Sequence, residues 1–229
     1  MASVLVLPSP LLPGSAYRDL AAAFTDHGAR ADVASATLSP GEGAHDLVRR
    51  WSRTVEADTI LVPHSNAGYL APLVRALGSV RSPIVFMDAA LPPPTGSTPL
   101  APPRFRTFLA ELADPDGLLP PWTRWWPRPV IDAVVPAGRF ADLDRDCPRL
   151  PLSYVDATVD APTDWTAGAN AYLAFGDTYA DELDLVRAGG WPHSAFDGGH
   201  LHFMHDPVQV AQRVLALAGV LRGARQADR

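Results

Sequence analysis

Residues 59–77 constrain this chain more than any other stretch. An apolar run, Thr59-Ile60-Leu61-Val62-Pro63, meets a tight turn, His64-Ser65-Asn66-Ala67-Gly68, and passes at once into an amphipathic segment, Tyr69-Leu70-Ala71-Pro72-Leu73-Val74-Arg75-Ala76-Leu77. A strand that ends on a serine and turns directly into a helix exposes the hydroxyl and aims the first backbone N–H groups of that helix at the same point in space. An unbroken apolar strand needs cover on both faces, which a parallel sheet flanked by helices provides. The corner therefore predicts an α/β architecture and a nucleophilic serine. Ser65 as an ordinary turn serine capping the next helix is the plainer alternative.

The rest of the chain has the matching rhythm. Strands are predicted at 3–7, 30–35, 58–63, 83–88, 152–155, 171–175 and 192–196. Helices are predicted at 16–27, with Leu20, Ala23 and Phe24 on one face, at 41–56, with Leu47, Trp51 and Val55 four apart, and at 180–188 and 207–221. Gly28 is placed to stop the first helix, and Asp206-Pro207 reads as N-cap and first helical position of the last. Alternating β and α predicts a mostly parallel sheet with helices on both faces, and ligands then bind at the carboxyl ends of the strands. The loop 8–15, Ser65 and Asp88 all fall at such ends. Residues 222–229 are expected to fray.

From 91 to about 151 the rhythm breaks. Prolines crowd in at Pro92-Pro93-Pro94, Pro102-Pro103 and Pro120-Pro121, and tryptophans cluster at Trp122, Trp125 and Trp126. Short helices are expected near 105–112 and 130–135. This segment reads as a proline-rich cap over the ligand edge of one domain spanning 1–229, with too little apolar periodicity to own a core. The three tryptophans are candidate pocket-wall residues, or else packing of the cap itself.

Composition narrows the function classes. The chain has 229 residues, 47% hydrophobic content and a net charge of −6. The basic residues are all arginine and are scattered, which argues against a nucleic-acid partner. No apolar run is long enough to span a membrane, and the N-terminus starts a strand without a basic leader, so a cytoplasmic location is expected. A single cysteine, Cys147, excludes an internal disulfide and a cysteine-based zinc site. The lack of Lys with abundant Ala, Pro and Arg suggests a bacterial, GC-rich genome. A small-molecule substrate is the expected partner, and a homodimer through an edge strand or the cap is left open.

Near the C-terminus, Asp197-Gly198-Gly199-His200-Leu201-His202 offers a base for the serine. A serine hydroxyl is a poor nucleophile at neutral pH and needs an imidazole to take its proton. His202, His205 and His193 compete with His200; His202 is placed as a candidate pocket residue and His205 as structural. The spacing His200-x-His202-x-x-His205 also permits a metal reading, but the Gly-Gly before it and the helix start after it suit a histidine loop better, so no metal is assigned. His64 reads as a packing residue of the corner, and the Asn66 amide either enters the pocket or bonds the turn.

With these residues in order, the chain resembles the α/β-hydrolase superfamily. His64-Ser65-x-x-Gly68 is similar to its nucleophile elbow, with Pro63 and Ala67 where glycines are usual, and Gly199-His200 before Asp206-Pro207 is similar to its histidine loop. The resemblance covers nearly the whole chain, lacking the first peripheral strands. It implies a triad in the order Ser65, Asp177, His200, with Asp88 as the alternative acid. It also implies oxyanion donors at the backbone of Asn66 and of Leu11, the latter because Ser9-Pro10 replaces the usual His-Gly and Pro10 has no N–H. The implied activity is hydrolysis of an ester, thioester or lactone of a small to medium, largely apolar substrate without a cofactor. A lyase, cyclase or isomerase on the same fold, or a non-catalytic ligand-binding relative, is the alternative.

Overall fold

The computed structural model describes residues 1–79 and 81–227. Six strands form one parallel sheet: β1 (Ala2–Leu7), β2 (Ala29–Val33), β3 (Ile60–Ser65), β4 (Ile84–Ala89), β7 (Asn170–Phe175) and β8 (His193–Phe196), in the order β2-β1-β3-β4-β7-β8. The central strands β3, β4 and β7 are buried at every residue, as apolar runs covered on both faces must be. The edge strands β2 and β8 alternate between more and less exposed residues instead.

Helices α1 (Arg18–Asp26), α2 (Ala44–Ser52), α3 (Ala71–Gly78), α8 (Ala180–Ala188) and α10 (Pro207–Ala227), the last preceded by the single turn α9 (His202–His205), cover the sheet. The chain leaves β1 toward β2 on one side and returns to β3 and β4 on the other. Right-handed crossovers then put α1 on one face and α2 and α3 on the opposite one. α1 packs on α10 accordingly, and α2 on α3. The reversal between β1 and β3 opens a crevice at their carboxyl ends, the position where such sheets bind ligands. α10 begins as expected, with Asp206 Oδ1 accepting the Gln209 N–H at 3.0 Å, and it continues as helix to Ala227, beyond the fraying point placed at 222. Residues 228–229 lie outside the described residues.

Between β4 and β7 lies the cap. It contains α4 (Pro103–Leu112), α5 (Arg128–Asp132), α6 (Phe140–Asp146) and α7 (Leu152–Asp156). Its base is a two-stranded antiparallel ribbon of β5 (Gly96–Pro99) and β6 (Thr158–Ala161), so the excursion runs past 151 to Ala161. The strand expected at 152–155 is a short helix, α7; Pro151 sets the entry angle at its N-cap and the neighbouring β6 takes the pairing role. The cap has an aromatic interior. Phe105, Phe108, Trp122, Trp125 and Trp126 contact one another ring to ring, and Trp125 Nε1 donates to the Pro120 carbonyl at 2.8 Å. Trp122 and Trp125 are buried in that cluster, continuous with the main core, and hold the cap together. Among the described residues no helix is long and apolar enough to cross a membrane.

Candidate active site

Ser65 ends β3 with φ 57° and ψ −130°, a conformation that L-residues rarely adopt. Such strain persists only where the surroundings over-determine it. Two neighbours do so here. Gly68 has no room for a side chain: a Cβ there would stand 2.0 Å from the Ala90 carbonyl oxygen. The strand pairing also shifts register between His64 and Ser65. Pro63 fits this shift. Leu61 donates its N–H toward β4, to the Pro83 carbonyl, so the donor missing two residues later falls on the same side, just before the irregularity. The proline and Ala67 thus stand in an elbow that still forms.

Asn66 opens the short helical turn after the serine, where the first N–H groups have no intrahelical partner. Its side chain is spent on the cap: Nδ2 donates to the Leu100 carbonyl at 2.6 Å and Oδ1 accepts from the Tyr154 hydroxyl at 2.7 Å. The backbone N–H, not the amide, is therefore what Asn66 offers to a ligand. In the loop after β1, the Leu11 N–H faces Ser9 Oγ at 3.4 Å and the Leu12 N–H bonds the Ser9 carbonyl at 3.0 Å. The Leu11 bond is long and weak.

His200 Nδ1 lies 2.6 Å from Asp88 Oδ2. Asp88, the last residue but one of β4, is fully buried and has a positive φ of 43°. Its other oxygen accepts the Phe175 N–H from β7 at 2.8 Å. A buried carboxylate must be compensated by donors, and here a backbone N–H and an imidazole N–H do so. The ring nitrogen through which a carboxylate could orient His200 is thus occupied by Asp88, the alternative acid, and not by Asp177. Asp177 lies on the exposed side of the loop after β7, where solvent serves its charge.

A hydrogen-bonded chain runs beneath these groups. The Ser9 N–H donates to the Tyr17 hydroxyl at 3.0 Å, and Tyr17 lies 2.8 Å from His64 Nδ1. His64 Nε2 lies 3.1 Å from the His200 carbonyl. A carbonyl only accepts, so Nε2 carries the proton. Burial, with His200 beside it, holds the His64 pKa well below the ordinary histidine value and keeps the ring neutral, so Nδ1 accepts and Tyr17 is the donor; burial also pushes the Tyr17 phenol up. The His64 ring stacks on His200 at 4.5 Å between centroids. This network links the β1 loop, the serine corner and the histidine loop. Nothing in the sequence pattern signalled Tyr17, which lies 47 residues from its partner.

Tyr179 is the other group the sequence did not mark. Its hydroxyl lies 3.3 Å from Ser65 Oγ and its ring 5.6 Å from that of His200. The remaining histidines point elsewhere. His202 packs against Phe175 and Phe196, behind Gly198, where burial lowers its pKa. His205 Nε2 donates to the Val134 carbonyl at 3.0 Å. The three side chains of the H-x-H-x-x-H run thus go to three different places, and among the described residues no group of three His, Cys, Asp or Glu could hold a metal ion. Burial pushes the Cys147 thiol up to about 12, which leaves it a poor nucleophile at neutral pH.

Neither a family model nor a curated protein matches the sequence. Solved structures do. An extracellular α/β-hydrolase from a Paenibacillus species superposes with a TM-score of 0.77 at 14% identity, covering 95% of this chain and 99% of that one. A pyrethroid hydrolase from Sphingobium faniae gives 0.72 at 14% identity, covering 95% and 97%. Tomato methylketone synthase I, in an H243A variant complexed with beta-ketoheptanoate, gives 0.70 at 12% identity, covering 96% and 98%. At such identities the similarity speaks to the fold alone.

Proposed function

We propose that this chain, which has the α/β-hydrolase fold, is a serine hydrolase acting on an ester, thioester or lactone of a small to medium, largely apolar substrate. The observation that carries the proposal is the pairing of two strained residues at adjacent strand ends: Ser65, and Asp88 bonded to the ring of His200. Backbone strain of this kind gathers at functional sites.

The chemistry follows from the hydrogen bonds. Asp88 holds the His200 Nδ1–H, so Nε2 presents its lone pair. During attack the Ser65 hydroxyl gives its proton to Nε2 while Oγ bonds the carbonyl carbon. The imidazolium is stabilised by the Asp88 carboxylate. The oxyanion is met by the Asn66 N–H at the helical turn and by the Leu11 N–H, which exchanges its weak contact with Ser9 Oγ for the charged acceptor. Collapse expels the leaving oxygen or sulfur with the proton from His200. Water, deprotonated by the same imidazole, then releases the acid and restores Ser65.

The test is turnover of short-chain esters and thioesters by wild type and Ser65→Ala. Wild type turns over at least one class, and the variant loses it while melting as the parent does. Retained turnover in Ser65→Ala, or a folded wild type inert to every ester, thioester and lactone, overturns the reading and moves weight to non-covalent acid–base chemistry or binding.

A further inference from the structure

We propose that Tyr179 is a further catalytic residue, a hydrogen-bond donor to the departing oxygen of the substrate ester. This rests on the serine-hydrolase reading above.

Two observations place its phenol among the reacting atoms. The hydroxyl is 3.3 Å from Ser65 Oγ, and the ring faces His200 at 5.6 Å between centroids. The backbone holds it there. Tyr179 ends the loop after β7, and that loop is pressed on the histidine loop: Gly176 has φ +65°, its N–H bonds the Phe196 carbonyl at 3.1 Å, and a Cβ on it would stand 2.2 Å from the Gly198 carbonyl oxygen. The loop that carries exposed Asp177 thus delivers a tyrosine to the nucleophile, while Asp88 from the neighbouring strand serves His200.

The direction of the hydrogen bond follows from the chemistry. Ser65 must keep its own proton available to His200, so in the reactive arrangement Tyr179 donates and Ser65 Oγ accepts. Burial pushes the phenol above its ordinary pKa, which keeps the proton on it. Once Oγ has bonded the acyl carbon its basicity falls, and the phenol needs a better acceptor. His200 releases its proton on the leaving-group side, and Tyr179, in contact with both Ser65 and His200, is assigned to that side. When the bond between the carbonyl carbon and the leaving oxygen breaks, the electron pair goes to that oxygen, which takes the proton from His200 Nε2. Tyr179 keeps its own proton and donates a hydrogen bond to the same oxygen as its charge grows.

A donor of this kind matters in proportion to the charge it meets. An aliphatic alkoxide is a strongly basic leaving group; p-nitrophenolate carries its charge without help. The variant is Tyr179→Phe, which keeps the ring, and the readout is kcat/KM for an ethyl ester against the p-nitrophenyl ester of the same acid. The ethyl ester should lose about 100-fold, the scale of removing one hydrogen-bond donor aimed at developing charge, while the p-nitrophenyl ester loses no more than about 3-fold, well below that scale. Both rates come from one preparation, so any fraction of unfolded variant cancels in their ratio. Equal losses on both esters, or no loss on either, overturn the proposal for Tyr179 alone. A fluorophosphonate on wild type distinguishes the underlying failure: a folded wild type that is not labelled at Ser65 overturns the serine reading and this proposal with it.

Discussion

Tyr17→Phe removes one oxygen and tests the chain of hydrogen bonds beneath the site. The phenol ring stacks on Phe203 at 4.7 Å, and phenylalanine keeps that packing. What is lost is the acceptor for the Ser9 N–H and the donor to His64 Nδ1, at 3.0 and 2.8 Å. Ser9 is only 1% exposed and His64 is fully buried, so water cannot replace either bond. A buried donor left without a partner costs about 1–3 kcal/mol, and the orphaned imidazole nitrogen adds about 1 kcal/mol. The expected destabilisation is therefore about 2–4 kcal/mol, a large part of the stability of an ordinary domain but short of abolishing it. Urea denaturation measures it: with a slope of about 1–3 kcal/mol/M, the midpoint falls by about 0.7 M or more at unchanged slope. Because the same bonds position the β1 loop and the carbonyl of His200, kcat should also fall by about 10-fold, as displaced catalytic groups typically show. A loss below about 0.5 kcal/mol, within the range of an inconsequential surface change, would refute the reasoning.

Two further predictions follow from named groups. Asp88→Asn should reduce kcat by about 10⁴-fold through loss of the correct His200 tautomer, whereas Asp177→Asn should stay within about 3-fold in the same assay, as an exposed carboxylate outside the hydrogen-bonded pair has no such role. Stability should rise with pH below about 6.5 and level off above it: His64 and His202 have folded pKa values below their unfolded ones, so the unfolded chain binds more protons in that window. The slope contributed by His64 approaches about 1.4 kcal/mol per pH unit. Glu182, raised by burial, acts in the opposite sense above its unfolded value. His64→Gln, in melts across pH 5–8, should flatten the rise by about one proton; an unchanged slope contradicts a neutral, buried His64.

The sheet was legible because its central strands are unbroken apolar runs, and the corner because Ser65 sits between such a run and an amphipathic helix. His200 was legible from the glycines before it and the helix start after it. The acid was not. Asp88 and Asp177 both follow apolar strands, and the features that separate them, burial, a positive φ and the Phe175 N–H on the carboxylate, arise only when β4 and β7 pair. Leu152-Ser153-Tyr154-Val155 reads as a strand by side-chain type, yet Pro151 and the adjacent ribbon make it a helix. The ribbon itself is short and largely exposed at β5, so it leaves no apolar alternation to read. His202 reads as a pocket residue from its position two residues past His200, and the turn at Leu201 sends it to Phe175 and Phe196 instead. Tyr17 and Tyr179 act through contacts far apart in sequence, and no local pattern announces such partners.

Intact-mass spectrometry after incubation with a fluorophosphonate, on wild type and Ser65→Ala, tests the central claim most directly. An activated Ser65 gives one adduct per wild-type chain, mapped to the peptide carrying Ser65, and none on the variant. A well-folded wild type that remains unmodified, or a variant modified to the same extent, would contradict a nucleophilic serine at this corner.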